Sequence, residues 1–158
     1  MMMRTTMGWV GTAIVAATLV ATPVDAQTAP IAGEELAAEF EAEAQRLQMT
    51  SEGWADAASL YVAAAQLRQH EDPQARQDLF LAANLYYQVG DKSAAMTALE
   101  SSGTRALASG DSVLAAQMFA NAAVLAEEAG LRNEQRRLRT RAADLAYSVQ
   151  SPGGPNTG

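Results

Sequence analysis

The sequence contains no cysteine and only one histidine, His70. The lack of cysteine excludes disulfide bonds, thiolate metal sites and a lipid anchor on a cysteine at the mature N-terminus. A centre built on paired histidines is excluded too, because a single imidazole cannot supply the ligand set. We therefore expect neither a metal nor a cofactor. His70 stands beside Glu71 and Asp72 at a helix junction, where we expect a solvated loop residue.

Aromatic residues are also few, at 6% of 158 residues, and valine and isoleucine are scarce in the segments between the termini. No stretch alternates apolar and polar residues as a half-buried strand does, whereas Ala, Leu, Glu, Gln and Arg, which favour helices, dominate. This composition predicts an all-α fold with one modest, alanine-rich core.

Long hydrophobic runs are absent apart from one near the N-terminus. The segment from Trp9 to Ala21 carries no charge, follows Arg4 and ends before Pro23. About 13 apolar residues fall short of the roughly 20 that span a bilayer. The small residues around Ala26 suit signal peptidase, so we predict a signal peptide over residues 1–26 that is cleaved after Ala26. A retained membrane anchor is the alternative.

Positive charge is in the minority, with 11 basic against 18 acidic residues and a formal net charge of −7. A field of this sign repels phosphate backbones and argues against general nucleic-acid binding. One local exception is the last predicted helix, whose arginines suit carboxylate or phosphate partners. Its candidate partner-binding residues are Arg132, Arg136, Arg137 and Arg139. The alternative is that these arginines pair with the acidic helices or are simply solvated.

Turn residues divide the chain at regular intervals. Gly90, Gly110 and Gly130 stand 20 residues apart, and aspartate follows the first two. Glycine ends helices and aspartate caps their N-termini, so the spacing predicts helices joined by very short turns as antiparallel neighbours. We expect about six helices over residues 33–150, after a lead-in over 27–32 and before a flexible tail over 151–158. Gly103, within the fourth helix, predicts a bend there.

The segment from Ala82 to Ala95 resembles the core of a tetratricopeptide (TPR) repeat. The family places a small residue, an asparagine, an aromatic pair, a Gly-Asp turn and a packing alanine in this order, as Ala83, Asn84, Tyr86-Tyr87, Gly90-Asp91 and Ala95 do here. The resemblance extends over roughly residues 53–130, with a period near 40 instead of the family's ~34. It implies a short right-handed solenoid of helical hairpins.

The resemblance also implies a concave groove that holds a peptide. The residues carried over to its lining are Leu81, Asn84 and Gln88, of which Asn84 would grip a peptide backbone. The phase of the hairpins stays open, because the junctions from Gly90 onward are alike. Residues 111–129 either open the third hairpin or complete one that starts near Ser102.

No phosphate-binding glycine loop, nucleophile elbow or paired-histidine motif occurs, so we do not expect an enzyme. The sequence favours a periplasmic or secreted scaffold whose TPR-like groove holds a protein or peptide. The alternative is a structural or self-associating helical bundle in which the aromatic residues belong to the core and no groove is used. Neither the partner nor the oligomeric state follows from the sequence.

Overall fold

The computed structural model describes residues 28–150, and these residues form six α-helices. The predicted signal peptide over 1–26 and the predicted tail over 151–158 lie outside the described residues. The helices are α1 (Thr28–Leu47), α2 (Trp54–Leu67), α3 (Pro73–Gln88), α4 (Lys92–Ala108), α5 (Ser112–Glu128) and α6 (Arg132–Gln150), with a 3₁₀ turn at Ser51–Gly53 before α2.

Each helix packs chiefly against the helix before it and the helix after it in the chain. The short connections make these neighbours antiparallel, as in arrays built from helical hairpins. Residues 28–150 contain no strand. The prediction of an all-α fold with about six helices in consecutive packing is therefore confirmed.

Three of the five junctions between helices use the same glycine turn. Gly90, Gly110 and Gly130 have φ angles of +84°, +80° and +73°, a left-handed conformation that side chains disfavour. At the first turn the Asp91 N–H donates to the Tyr86 carbonyl (2.9 Å) and the Gly90 N–H to the Tyr87 carbonyl (3.0 Å). These two bonds define a Schellman motif, which satisfies the last carbonyls of α3.

The next helix starts at once after the first two of these turns, because an aspartate caps it. The Asp91 carboxylate accepts from the Ala94 N–H (2.9 Å) and the Asp111 carboxylate from the Leu114 N–H (3.0 Å). Asp72 caps α3 in the same manner by accepting from the Gln74 N–H (2.8 Å). The short, doubly anchored connections hold adjacent helices close together.

The core between the helices is built largely from alanine. Within residues 28–150 the largest fully buried apolar side chains are Tyr61, Phe119 and Leu138. The small side chains allow the helix backbones to approach closely, since little volume has to be accommodated between them. In α1 the buried positions are Ala37 and Ala44. Leu36, which lies at helical spacing from Phe40 and Ala44 and was therefore expected in the core, is 40% exposed.

Two expectations about helix boundaries differ from the structure. α1 begins at Thr28, so the segment expected as a lead-in is helical from that residue onward. α4 runs without interruption from Lys92 to Ala108, through Gly103. No helix starts near Ser102, so a hairpin beginning there is wrong.

Gly103 leaves α4 intact because its missing side chain has a packing role. A Cβ atom at this position would lie 3.0 Å from the Phe119 Cε1 atom and 3.1 Å from the Met118 Cβ atom. The glycine therefore lets α4 approach α5 closely, and the fully buried Phe119 ring occupies the space that a side chain would take.

We predict that Gly103→Val lowers the free energy of unfolding by about 1 to 3 kcal/mol, because the added side chain overpacks the contact with Phe119. Thr104→Val is the matched control, since it places the same residue one position further along α4, where the side chain is only half-buried. Urea denaturation followed by circular dichroism measures both. Equal stability of the two variants would contradict the close approach.

Candidate functional site

α3 and α5 run in the same direction and flank a groove whose floor is α4. Its first part is a cavity of about 360 Å³. α3 contributes Phe80, Ala83, Asn84 and Tyr87, α5 contributes Asn121, Val124, Leu125 and Glu128, and α4 contributes Leu99.

A second cavity of about 330 Å³ continues the groove toward the N-terminal ends of both helices. Pro73, Arg76, Gln77 and Phe80 of α3, Leu114 and Met118 of α5, and Ser102 of α4 line it. Phe80 belongs to both cavities and so stands at the centre of the groove. From Pro73 to Tyr87, at 1.5 Å per residue, the groove is about 21 Å long, which matches about six residues of extended peptide.

Large apolar side chains are exposed along this groove. Phe80 is 41% exposed, Tyr87 47% and Val124 49%, whereas the other large apolar residues of α3 and α5, except Val113 (54% exposed), are buried or half-buried. A cluster of exposed apolar side chains in a concave surface is typical of a binding site. Asn84 and Asn121 lie among them, and each amide offers both donors and an acceptor.

The opposite face of the array has a different character. Two cavities of about 300 and 500 Å³ lie between α2 and α4, with Leu79 of α3 lining both. The side chains that line them are mostly polar, among them Gln66, Ser101 and Thr104. His70 lines the smaller cavity and is exposed, at the junction between α2 and α3. None of the large exposed apolar side chains of the described residues lies there.

A buried group of charges joins α1 to the α2–α3 junction. Arg68 donates from Nε to the Glu41 carboxylate of α1 (3.1 Å). Its guanidinium nitrogens also lie 3.5 Å from Asp72 Oδ2 and 3.6 Å from Asp78 Oδ2. One guanidinium thus serves three carboxylates, and at most part of the negative charge is neutralised.

Asp78 is the most enclosed member of this group, with no exposed surface. Gln74 Nε2 donates to its Oδ1 (3.2 Å), while its Oδ2 has no hydrogen-bond partner. Burial, and secondarily the negative charge of Glu41, raises the pKa of Asp78 from 3.8 to about 7. Asp78 lines none of the cavities described above, so this carboxyl acts on stability and reaches no ligand.

The raised pKa predicts the direction of a pH effect. Between about pH 4 and 7 the folded chain holds a proton on Asp78 that the unfolded chain has lost. The stabilisation that protonated Asp78 provides is therefore complete below pH 4 and is lost as the pH rises through about 7. The packing of α1 against the α2–α3 junction should therefore be more stable in mildly acidic than in alkaline solution.

We predict that Asp78→Asn raises the free energy of unfolding at pH 8 by on the order of 1 kcal/mol and flattens its pH dependence between pH 4 and 7. The amide retains an acceptor for Gln74 and gains a donor toward Glu41. Chemical denaturation across this pH range measures the effect. Asp56→Asn, at an exposed carboxylate of α2, is the control. A wild-type profile in Asp78→Asn would contradict the assignment.

A second buried arginine connects α4 to α2. Arg105 is 8% exposed and donates to the Ala65 carbonyl (2.6 Å) and the Gln69 carbonyl (2.8 Å). α2 ends at Leu67 with Arg68 in an extended conformation, so it lacks the glycine turn of the later helices. Arg105 thus donates to the Ala65 carbonyl of the last turn of α2, a position that a Schellman motif satisfies in the later helices. Desolvation lowers the pKa of Arg105, whose role is structural.

The arginines of α6 divide into two groups. Arg137 forms a two-pronged ion pair with Glu100 of α4 (2.6 and 2.7 Å), and this contact lowers the pKa of Glu100. Arg141 covers the Phe119 ring, with its guanidinium carbon 4.1 Å from the ring centre. Arg132, Arg136 and Arg139 instead line an outer cavity of about 340 Å³. The four arginines predicted from the sequence as partner-binding residues therefore do not act together, because Arg137 is paired with Glu100 and the other three line the outer cavity.

The other residues flagged by the sequence also separate. Asn84 lines the groove between α3 and α5, as the resemblance implied for one of its walls. Leu81 is half-buried and packs against the core, and Gln88 is exposed outside the two cavities of the groove. Phe80 and Tyr87 also line the groove but were not predicted from the sequence. Both are large apolar residues of α3 that lie beside its row of buried residues.

Among residues 28–150, no group of three or more His, Asp or Glu side chains could hold a metal ion. Within the same residues, every helix is too short or too polar to cross a membrane.

Neither family models, nor curated proteins, nor solved structures gave a match to the chain. What the structure defines is the class, an all-α array of six consecutively packed helices.

Proposed function

We propose that this chain is an exported, TPR-like interaction scaffold that holds an extended peptide segment of a partner protein in the groove between α3 and α5. The observation that carries the proposal is the cluster of exposed apolar side chains, Phe80, Tyr87 and Val124, in one concave surface. Exposing such side chains to water is unfavourable, and an apolar ligand would remove that cost.

The groove favours a particular class of ligand. Asn84 and Asn121 would hydrogen-bond to the backbone of an extended peptide, while Phe80 and Tyr87 would contact its apolar side chains. The charged residues at the groove's ends already have partners, since Arg76 donates to the Ser109 hydroxyl and Glu128 pairs with Lys92 (3.0 Å). We therefore expect a ligand of about six residues with apolar side chains and little charge.

Selection from a displayed library of six-residue peptides provides the probes. We predict that the selected peptides bind Phe80→Ser and Asn84→Ala about tenfold more weakly than wild type, because each change removes a central contact. Fluorescence anisotropy measures the dissociation constants.

The matched controls lie at the C-terminal end of α3, outside the groove. Gln88→Ala and Val89→Ser alter exposed residues that line neither cavity of the groove, and peptide affinity should be unchanged in both. Equal affinity of the selected peptides for Phe80→Ser, Asn84→Ala and wild type would refute the groove as the binding site.

Export is the second part of the proposal, and it places the scaffold in the periplasm or outside the cell. We predict that the chain recovered after expression in a bacterial host is found in the periplasmic or extracellular fraction and begins at Gln27. N-terminal sequencing of that product measures this. A full-length product retained with the cells would contradict the proposal.

A further inference from the structure

The first and last helices each leave one face without a neighbour. Within residues 28–150, α1 packs chiefly against α2 and α6 chiefly against α5, whereas each inner helix packs against two others. A helical array buries its faces by adding the next helix, so its two end faces need either a polar surface or a partner. The chemistry of these end faces therefore decides what covers them.

The outward face of α6 is basic. Arg132, Arg136 and Arg139 recur at helical spacing and line one cavity, and we call them the basic stripe. Within the described residues no carboxylate lies within ion-pair distance of Arg132 or Arg136, and Arg139 makes one exposed pair with Glu127 (2.7 Å). Tyr147, three helical turns beyond Arg136, is 73% exposed.

The outward face of α1 is acidic. Ala37 and Ala44 face the core, and at 100° per residue the opposite side of the helix presents Glu35 and Glu39. Arg46 lies on the same side near the end of α1, where it forms an ion pair with Glu43. We call Glu35 and Glu39 the acidic stripe. Ala38 and Ala42 lie beside them, and all four are exposed. Small residues between the carboxylates let another helix approach closely.

The two end faces are complementary in charge and compatible in direction. α6 runs in the same direction as α2 and α4, so an α1 placed against it would be antiparallel, as every consecutive pair in the array is. From these observations we propose that the basic stripe of one chain is the docking surface for the acidic stripe of a second copy. The array then continues from molecule to molecule.

The geometry of this contact determines the kind of assembly. The two surfaces differ, so the contact is heterologous and repeats head to tail without closing into a dimer. A single helix pair is a small interface, so the association should be weak and should build open oligomers at high protein concentration. It should also weaken with salt, because the opposing charges are exposed. The proposal does not rest on the groove between α3 and α5.

Charge reversal tests the proposal with the full chain purified after expression. One variant carries Arg132→Glu, Arg136→Glu and Arg139→Glu, and the other carries Glu35→Arg and Glu39→Arg. Sedimentation velocity up to about 1 mM protein at low salt measures association. Wild type should form oligomers that grow with concentration, and each variant alone should associate about tenfold more weakly or not at all.

The decisive sample is an equimolar mixture of the two variants. The reversed ends complement each other, and the unchanged ends complement as in wild type, so the mixture should recover association to within about threefold of wild type. Recovery also shows that both variants are folded. The groove variant Phe80→Ser should associate as wild type does, which separates this proposal from peptide binding.

Four results would overturn the proposal. Wild type could remain monomeric over the whole concentration range at low salt, or form a closed dimer that salt does not affect. Either variant could associate as strongly as wild type. The mixture could also fail to associate although circular dichroism shows both variants folded.

Discussion

The left-handed glycine at the end of a helix is the constraint on which the rest of this structure depends. Three such residues, Gly90, Gly110 and Gly130, reverse the chain within two residues, and hydrogen bonds of the same pattern satisfy the helix end each time. Equal spacing gives α4 and α5 equal length. Helices of equal length that reverse sharply lie side by side in register, which sets α3 and α5 parallel on one face with α4 between them.

Small side chains at the contacts between helices allow these aligned helices to pack closely. Alanine dominates the core, and Gly103 permits a close approach of α4 to Phe119 of α5. A core of this kind buries little apolar area for each residue, so the array depends on polar connections between helices that do not adjoin in sequence. Arg105 and Arg137 supply them by connecting α2 with α4 and α4 with α6. Arg68 adds a connection between α1 and the α2–α3 junction.

The helix boundaries from α3 onward could be predicted from the sequence, because glycine turns and aspartate caps are local signals. The continuity of α4 could not, because it depends on how Gly103 meets Phe119 in the folded chain. The burial of Asp78 and Arg105 was missed for the same reason, although a charged residue beside an apolar stripe is a usable signal. In the groove, Asn84 followed from the resemblance. Phe80 could not be predicted from the sequence as a groove residue, because its exposure depends on the separation of α3 from α5 in the folded chain.

The cap that Arg105 places on α2 has a consequence for how the array unfolds. In an array whose units contact only their neighbours, unfolding can start at an end and proceed unit by unit. Here the Ala65 carbonyl near the end of α2 and the Gln69 carbonyl just beyond it accept hydrogen bonds from Arg105, which is 40 and 36 positions away in sequence. The first two helices therefore lose a stabilising contact whenever α4 opens. This second-neighbour coupling raises the cooperativity of the chain, so that the N-terminal and central helices melt as one unit.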